Sequence, residues 1–193
     1  MPRVGMMALR MDALVNATIG EIGRKGSLDV TVGQIAKAAG VSSALAHHYF
    51  GSKDDLFLAA MRAILSDFGS EARRELHAAI GPRARLDALV RASFGGRNFQ
   101  PEVVAAWLNF YVLARTQPKA ARLLGIYQRR LVSNLTHALR PLTDSPAEVA
   151  RTAAALIDGL YIRHALTAAG PPDAGAAIAT VDRYLTLAIG DAD

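Results

Sequence analysis

The sequence contains no cysteine among its 193 residues, which excludes disulfide bonds and metal sites built from thiolates. It has only five histidines, and the adjacent pair His47 and His48 falls in a predicted helix. Neighbouring side chains on a helix point to different sides, so this pair would hold a metal ion poorly. We therefore expect neither a metal nor another cofactor.

Long apolar runs are also missing. The longest uncharged candidate, Val103 to Ala114, falls well short of the roughly 20 residues that a membrane-spanning helix needs. Near the N-terminus, Arg3, Arg10 and Asp12 interrupt any apolar core of a secretory signal. These features favour a cytoplasmic protein without a membrane partner.

The motifs of several enzyme classes are absent. The sequence has no glycine-rich phosphate loop, no G-x-S-x-G turn and no H-E-x-x-H pair. The best acid–base candidates are His47 with His48, and Asp158 with His164. Neither pair belongs to a recognisable catalytic motif, so we expect a protein that is not an enzyme.

No stretch alternates polar and apolar residues as a strand does. Hydrophobic residues make up 51% of the chain and aromatic residues only 6%, and much of the apolar content is alanine, the best helix former. Between glycine and proline breaks, apolar residues recur at three- and four-residue steps. The pattern predicts an all-α fold of about nine helices, at residues 10–25, 32–39, 43–49, 52–80, 83–94, 101–116, 119–139, 145–168 and 174–189.

Three details of this assignment are specific enough to check. Met1 to Leu9 is predicted to be a loose arm with basic residues for DNA phosphates. Residues 95–98 are predicted to be a loop. Ser145 and Glu148 have the spacing of a capping box at the start of a helix.

Residues 31–53, TVGQIAKAAGVSSALAHHYFGSK, have the pattern of a helix-turn-helix. Thr31 is a suitable N-cap for the first helix, and Ser42 or Ser43 for the second. Gly40 lies between them, where the chain needs a positive φ. Small and apolar residues fall where two short helices must touch, namely Ile35, Ala36, Ala39, Val41 and Ala46. An ordinary helical hairpin would show the same spacing, so spacing alone leaves both interpretations open.

The end of this segment favours DNA binding. Lys53 follows Tyr49-Phe50-Gly51-Ser52 and falls in the first turn of the next helix, where a cation is unfavourable to the helix dipole. A bound phosphate would explain it. The exposed face of the second helix would present short groups suited to base edges and thymine methyls, namely Ser43, Ala44, His47 and His48.

This segment closely resembles the DNA-binding domain of the TetR family of bacterial repressors. The resemblance implies that Ser43, Ala44 and His47 face bases, while Thr31, Tyr49 and Lys53 hold phosphates. The full candidate set for DNA contact is Thr31, Ser42, Ser43, Ala44, His47, His48, Tyr49 and Lys53. We expect a DNA-binding domain at 1–53 and a helical domain for ligand binding and dimerisation at 54–193.

Charge supports DNA binding only weakly. The formal net charge is +5, which favours an acidic partner. Residues 1–60, however, carry six basic and five acidic side chains, so most of the excess lies elsewhere. The prediction of DNA binding therefore depends on the motif.

The last two predicted helices carry apolar stripes, formed by Val149, Ala153, Leu156, Ile157 and Leu160 on one and by Ile178, Val181, Leu185 and Ala188 on the other. The stripes form a dimer surface, face the protein's own core, or do both in part. A dimer is expected independently, because one short recognition helix gives too little affinity, whereas two related by a twofold axis read an inverted repeat.

An aromatic cluster with one carboxylate is predicted in the second domain, made of Trp107, Phe110, Tyr111, Tyr127, Asp158 and Tyr161. Such a set can cage a quaternary ammonium ion, which has no N–H to donate and is bound by aromatic faces and a carboxylate. The commoner explanation of a helical aromatic stripe is core packing. Asp158 can equally be a buried interface group that bonds to a partner chain.

Over most of its length the sequence resembles the BetI regulators, TetR-family repressors of choline-to-glycine-betaine genes. The segments that carry the resemblance are PRVGM at 2–6, GVS at 40–42, HYF at 48–50, AWL at 106–108 with Phe110, and LIDGL at 156–160 with Arg163. The resemblance implies control by osmotic stress, with choline or betaine aldehyde as the inducer. The stretch at 44–47 departs from the family pattern and does not indicate an operator sequence.

We therefore expect a homodimeric repressor that binds a palindromic DNA operator. A ligand in the second domain would tilt the helix that starts at Ser52 and change the spacing of the two recognition helices. One alternative is a TetR-family repressor that responds to a different small cationic or apolar ligand. An alternative of another class is a helical interaction protein that does not bind DNA, which would leave residues 49–53 unexplained.

Overall fold

The structure is a computed structural model that describes residues 3–167 and 172–190. Within these residues the chain forms nine α-helices, one 3-10 helix and no strand, so the prediction of an all-α fold is confirmed. The α-helices are α1 (Arg3–Lys25), α2 (Val32–Ala38), α3 (Ser43–Phe50), α4 (Lys53–Ala78), α5 (Pro82–Phe94), α6 (Pro101–Thr116), α7 (Pro118–Leu139), α8 (Pro146–Leu166) and α9 (Ala174–Ile189).

Three predictions about local structure were wrong. Helix α1 begins at Arg3, so residues 5–9 are helical and not a loose arm, because methionine, alanine and leucine there favour a helix. Residues 96–99 form the 3-10 helix and not an open loop. The Ser145 side chain caps nothing, because the Glu148 N–H donates to the Ser145 backbone carbonyl oxygen over 3.2 Å and not to its hydroxyl.

The helix-turn-helix formed by α2 and α3 shares one hydrophobic core with the larger helical part of the chain. Helix α1 packs against α2, α4 and α6. Its apolar stripe, including Leu14, Ile19 and Ile22, is buried in these contacts. The division of the chain into domains at residue 53 stays a prediction, since α1 belongs structurally to both parts.

Helices α1 and α6 approach each other closely at Gly23. A Cβ atom added there would lie 2.6 Å from the Cα atom of Glu102 in the first turn of α6. Real side-chain atoms do not come that near a backbone, so only glycine allows this contact. By contrast, a Cβ atom added at Gly20, one turn earlier in α1, meets nothing within 4 Å.

Candidate functional site

The helix-turn-helix is fixed by bonds between near neighbours in sequence. At the start of α2, the Gln34 backbone N–H donates to Thr31 Oγ1 over 3.2 Å, and the Thr31 N–H donates to Gln34 Oε1 over 2.8 Å. This reciprocal pair satisfies two N–H groups that the helix leaves free. Gly40 then turns the chain with a φ of +68°, as the sequence predicted.

Helix α3 faces outward with the side chains that the sequence predicted. Ser42, and not Ser43, is the N-cap, and its Oγ accepts from the Leu45 N–H over 3.2 Å. Ala46 is 1% exposed and packs on the core, which orients the opposite face to solvent. That face exposes Ser43, Ala44, His47 and His48.

The turn between α3 and α4 fixes the C-terminal end of α3. Gly51 has a φ of +76°, and its carbonyl oxygen lies 3.2 Å from His47 Nδ1. Ser52 caps α4 by accepting from the Asp55 N–H over 3.1 Å. Lys53 lies with its Nζ atom 5.3 Å from the centre of the Phe57 ring, which is a cation–π contact. The Lys53 ammonium is thus partly satisfied without a phosphate.

A small internal cavity lies where α4, α5, α6, α7 and α8 meet. Its volume is about 20 Å³, room for roughly one water molecule. Three predicted ligand-binding residues line it, namely Trp107, Tyr127 and Tyr161. Five further lining residues were not predicted from the sequence: Ile64, Leu65, Phe68, Ser93 and Asn98. They belong to three other elements, and no local pattern marks them.

The rings around Trp107 meet edge to face. The centre of the Trp107 ring lies 5.2 Å from that of Tyr127 and 5.6 Å from that of Tyr111. Tyr127 also meets Phe68 at 5.7 Å. Such T-shaped pairs are favourable because positive ring edges contact negative ring faces. The structure therefore brings together aromatic residues from α4, α6 and α7.

Asp158 is the carboxylate of this cluster. The Tyr127 hydroxyl donates to Asp158 Oδ1 over 3.3 Å. Burial raises the pKa of Asp158, while the hydroxyls of Tyr111 and Tyr127 act in the opposite direction. The Tyr111 hydroxyl is buried and makes no hydrogen bond within the described residues. Burial, and then the Asp158 charge, raises the pKa of Tyr111.

Tyr161 and Phe110 differ from the rest of the predicted set. The Tyr161 hydroxyl donates to the Ser93 carbonyl oxygen, and its ring lies between Phe94 and Phe99 at centre distances of 5.8 and 5.1 Å. It forms a fixed wall of the cavity. Phe110 is fully buried, and like Tyr111 and Asp158 it does not line the cavity.

The predicted apolar stripes of α8 and α9 divide between core and surface. Val149, Ala153, Ile157, Val181 and Leu185 are buried within the protomer, so they are not available to a partner. Leu156, Leu160, Ile178 and Ala188 are half-buried. Large apolar side chains also remain exposed beside them: Ile162, Leu166 and Leu187.

Two further tests concern metals and membranes. No group of three or more potential metal ligands occurs in the part of the chain that the structure describes. None of the described helices has the length and apolar character needed to cross a membrane. His164, named above as an acid–base candidate, packs its ring on Phe99 at a centre distance of 4.9 Å.

Comparison with known proteins agrees with this architecture. A family model described as the bacterial regulatory proteins of the tetR family matches residues 14–60, and a model described as the C-terminal part of BetI-type transcriptional repressors matches residues 82–190. The HTH-type transcriptional regulator BetI of Brucella anthropi is 51% identical, with 97% of each chain covered. The regulator of the same name from Agrobacterium fabrum is 51% identical, covering 97% of this chain and 91% of that one.

Solved structures show the same fold. A TetR transcription regulator from Haloarcula marismortui superposes with a TM-score of 0.81 at 22% identity, covering 93% of this chain and 97% of its own. A transcriptional regulator from Saccharomonospora viridis, solved in complex with choline, superposes with a TM-score of 0.80 at 24% identity, covering 91% and 94%.

A helix-turn-helix reader joined to a helical domain defines a DNA-binding transcriptional regulator, and not an enzyme. The chain belongs to the TetR family of bacterial regulatory proteins, and within it to the BetI-type transcriptional repressors. The resemblance found in the sequence is thereby confirmed.

Proposed function

We propose that the protein represses genes of choline-to-glycine-betaine conversion and that choline is the ligand that relieves repression. The observation that carries the proposal is the cluster of Trp107, Tyr111 and Tyr127 around the half-buried carboxylate of Asp158. A quaternary ammonium ion gains from aromatic faces and from a carboxylate, and needs no hydrogen-bond acceptor for itself. The choline-bound regulator of the same fold supports this choice.

Choline is larger than the cavity of about 20 Å³, so the site must widen to admit it. The movable walls are Phe68 on α4 and Trp107 on α6, because Tyr161 is held by backbone carbonyls of the α5–α6 region. A ligand that enters there therefore pushes α4 and α6 apart.

Both helices lead to the DNA-reading part. Helix α4 begins at Lys53, directly after the turn that ends α3. The first turn of α6 presses on Gly23 of α1, and a helix transmits a shift over this short distance as a rigid rod. Widening of the cavity would thus move α3 through α4 and move α1 through α6.

On the operator, we assign Ser43, Ala44, His47 and His48 to the major groove, because they form the exposed face of α3. We assign Thr31, Tyr49 and Lys53 to the phosphates at its two ends. Ser42 contributes mainly as the cap of α3. A repressor of this kind acts on the chromosome and therefore in the cytoplasm.

A homodimer formed through α8 and α9 would place the two α3 helices, one from each protomer, on the two halves of a palindromic operator. The exposed apolar side chains Ile162, Leu166 and Leu187 are the part of these helices left for a partner. A Cβ atom added at Gly159 meets nothing within 4 Å, so no contact inside the protomer requires this glycine. Close approach of a partner helix would account for it.

Titration calorimetry of the full-length protein with choline tests the ligand. We expect saturable binding that is lost in Trp107→Leu and kept in Phe110→Leu, a matched large-to-small change on the same helix but outside the cavity. Glycine betaine, which carries an added carboxylate, should bind more weakly because Asp158 repels it. If the folded protein does not bind choline but binds another small cation, choline is not the ligand, and that cation takes its place in the proposal.

A further inference from the structure

A second and larger hollow runs along the surface between α4 and α7. We call it the α4–α7 groove, and its volume is about 530 Å³. Leu65, Phe68 and Tyr127 line both this groove and the aromatic cavity, so the two hollows adjoin. The floor of the groove is apolar and includes Leu65, Phe68, Leu76, Leu123 and Ile126. These side chains are only half-buried, so the groove leaves apolar surface in contact with water.

The rim of the groove carries positive charge only. Three exposed arginines, Arg62, Arg73 and Arg130, line it, and none makes a salt bridge within the described residues. Arg73 donates to the neutral Ser70 hydroxyl over 3.0 Å, and no carboxylate of residues 3–167 or 172–190 lines the groove. Other arginines do pair with acids, as Arg74 does with Glu71 and Arg91 with Glu75.

The groove continues past Leu76 and Asn134 into a second hollow of about 200 Å³. This extension adds Arg85 and His137, and none of the described acidic residues lines it. From Arg62 to Leu76, α4 rises by about 21 Å at 1.5 Å per residue. The apolar floor is therefore long and narrow, with cations along its edges.

We propose that the α4–α7 groove binds a single-chain amphiphilic anion, an acyl chain with an anionic head group. The chain would lie along the apolar floor, and the head group would pair with Arg130 and with Arg62 or Arg73 across the groove. Guanidinium groups suit carboxylate and phosphate oxygens because their N–H groups form a planar fork. The three arginines favour an anion in the groove, whereas Asp158 favours a cation beside the aromatic cavity, so the two proposed ligands differ in class.

The test is calorimetric titration of the full-length protein with dodecanoate below its micelle concentration. Dodecanol and dodecyltrimethylammonium have the same chain with a neutral and a cationic head. We expect saturable binding of dodecanoate and at least tenfold weaker binding of the other two. Dodecanoyl-coenzyme A is the fourth probe: tighter binding than dodecanoate identifies an acyl thioester as the source, and weaker binding identifies the free acid.

Matched variants locate the site. Arg130→Gln and Arg73→Gln should each weaken dodecanoate binding about threefold to fivefold, as expected for an exposed charge pair. Asn134→Asp, which places a carboxylate in the groove, should weaken it further. Arg129→Gln and Arg74→Gln remove the neighbouring arginines that do not line the groove, and should leave binding unchanged.

Two results would overturn the proposal. One is the absence of dodecanoate binding by protein that is folded, as judged from circular dichroism. The other is equal affinity for all three head groups, or binding that is lost in Trp107→Leu but intact in Arg130→Gln, since the ligand would then occupy the aromatic cavity. The choline titration is a separate measurement, so failure here leaves the proposed function untouched.

Discussion

The DNA-reading helices and the aromatic cavity are built in opposite ways. The helix-turn-helix is set by bonds across three residues, such as Gln34 to Thr31 and Leu45 to Ser42, and by a glycine turn. The cavity draws its walls from five helices that are far apart in sequence. The reader is therefore locally determined and stiff, whereas the cavity depends on how whole helices pack, which a ligand can change.

The contact between α1 and α6 joins the two regions and should show the largest effect. Gly23→Ala forces these helices apart, so we expect a loss of about 1–3 kcal/mol in the free energy of unfolding, as for other overpacked sites. Gly20→Ala, one turn away in open space, should raise that free energy by about 0.5–1 kcal/mol. Urea unfolding of both variants compares them, and equal effects would show that α6 does not press on α1.

Asp158 supplies the negative charge next to the cavity, where it is bonded to the wall residue Tyr127. Asp158→Asn should weaken choline binding at least tenfold, or about 1.4 kcal/mol, because the cation loses its counter-charge. In the wild type, choline affinity should fall as pH drops through the raised pKa of Asp158, since the protonated carboxyl is neutral. The variant should show a flat pH profile when titrated by calorimetry over the same range.

The same carboxyl also links pH to stability. Because its pKa in the folded protein is raised above the ordinary value, its stabilising contribution is full below that value and is lost as pH rises through the folded pKa. Asp158→Asn should therefore make the ligand-free protein more stable near neutral pH. A variant less stable than wild type in thermal unfolding at that pH would contradict the assigned burial cost.

The cap at Thr31 tests the local character of the reader. Thr31→Ala removes the acceptor for the Gln34 N–H and should cost about 1 kcal/mol of stability. Thr31→Ser keeps the hydroxyl and should restore most of it. Choline affinity should be the same in all three proteins, and a change of more than a few-fold would show that the reader and the cavity are not built independently.

Lys53 should show the smallest effect. Lys53→Ala should weaken binding to every DNA sequence and lower the salt slope of binding by about one. Arg140→Ala removes the same charge from the far end of α7 and should leave the slope unchanged. If Lys53→Ala instead altered base preference at a constant slope, its assignment to a phosphate would be wrong.

Local patterns made the reader predictable. The caps at Thr31, Ser42 and Ser52 and the turns at Gly40 and Gly51 are visible in sequence because each depends on residues within one helical turn. Cavity residues such as Phe68 and Asn98 were missed, because only the packing of distant helices brings them to Trp107.

The α8 and α9 stripes show a second limit. A helical period reveals that a face is apolar, but not whether that face meets its own chain or a partner. Val149 and Ile157 proved to be core, while Ile162 and Leu187 remained on the surface. Ser145 shows a third limit, since its capping pattern was present but the Glu148 N–H donates to the Ser145 carbonyl oxygen and not to its side chain.

The most direct test of the account is the effect of choline on DNA binding. An operator selected from random DNA is titrated with the protein by fluorescence anisotropy, with and without saturating choline. We predict that choline weakens operator binding in the wild type, and that Trp107→Leu and Asp158→Asn bind the operator normally but ignore choline. By linkage, operator must weaken choline binding by the same factor. If choline binds by calorimetry yet leaves operator affinity unchanged, the aromatic cavity does not control the DNA-reading helices.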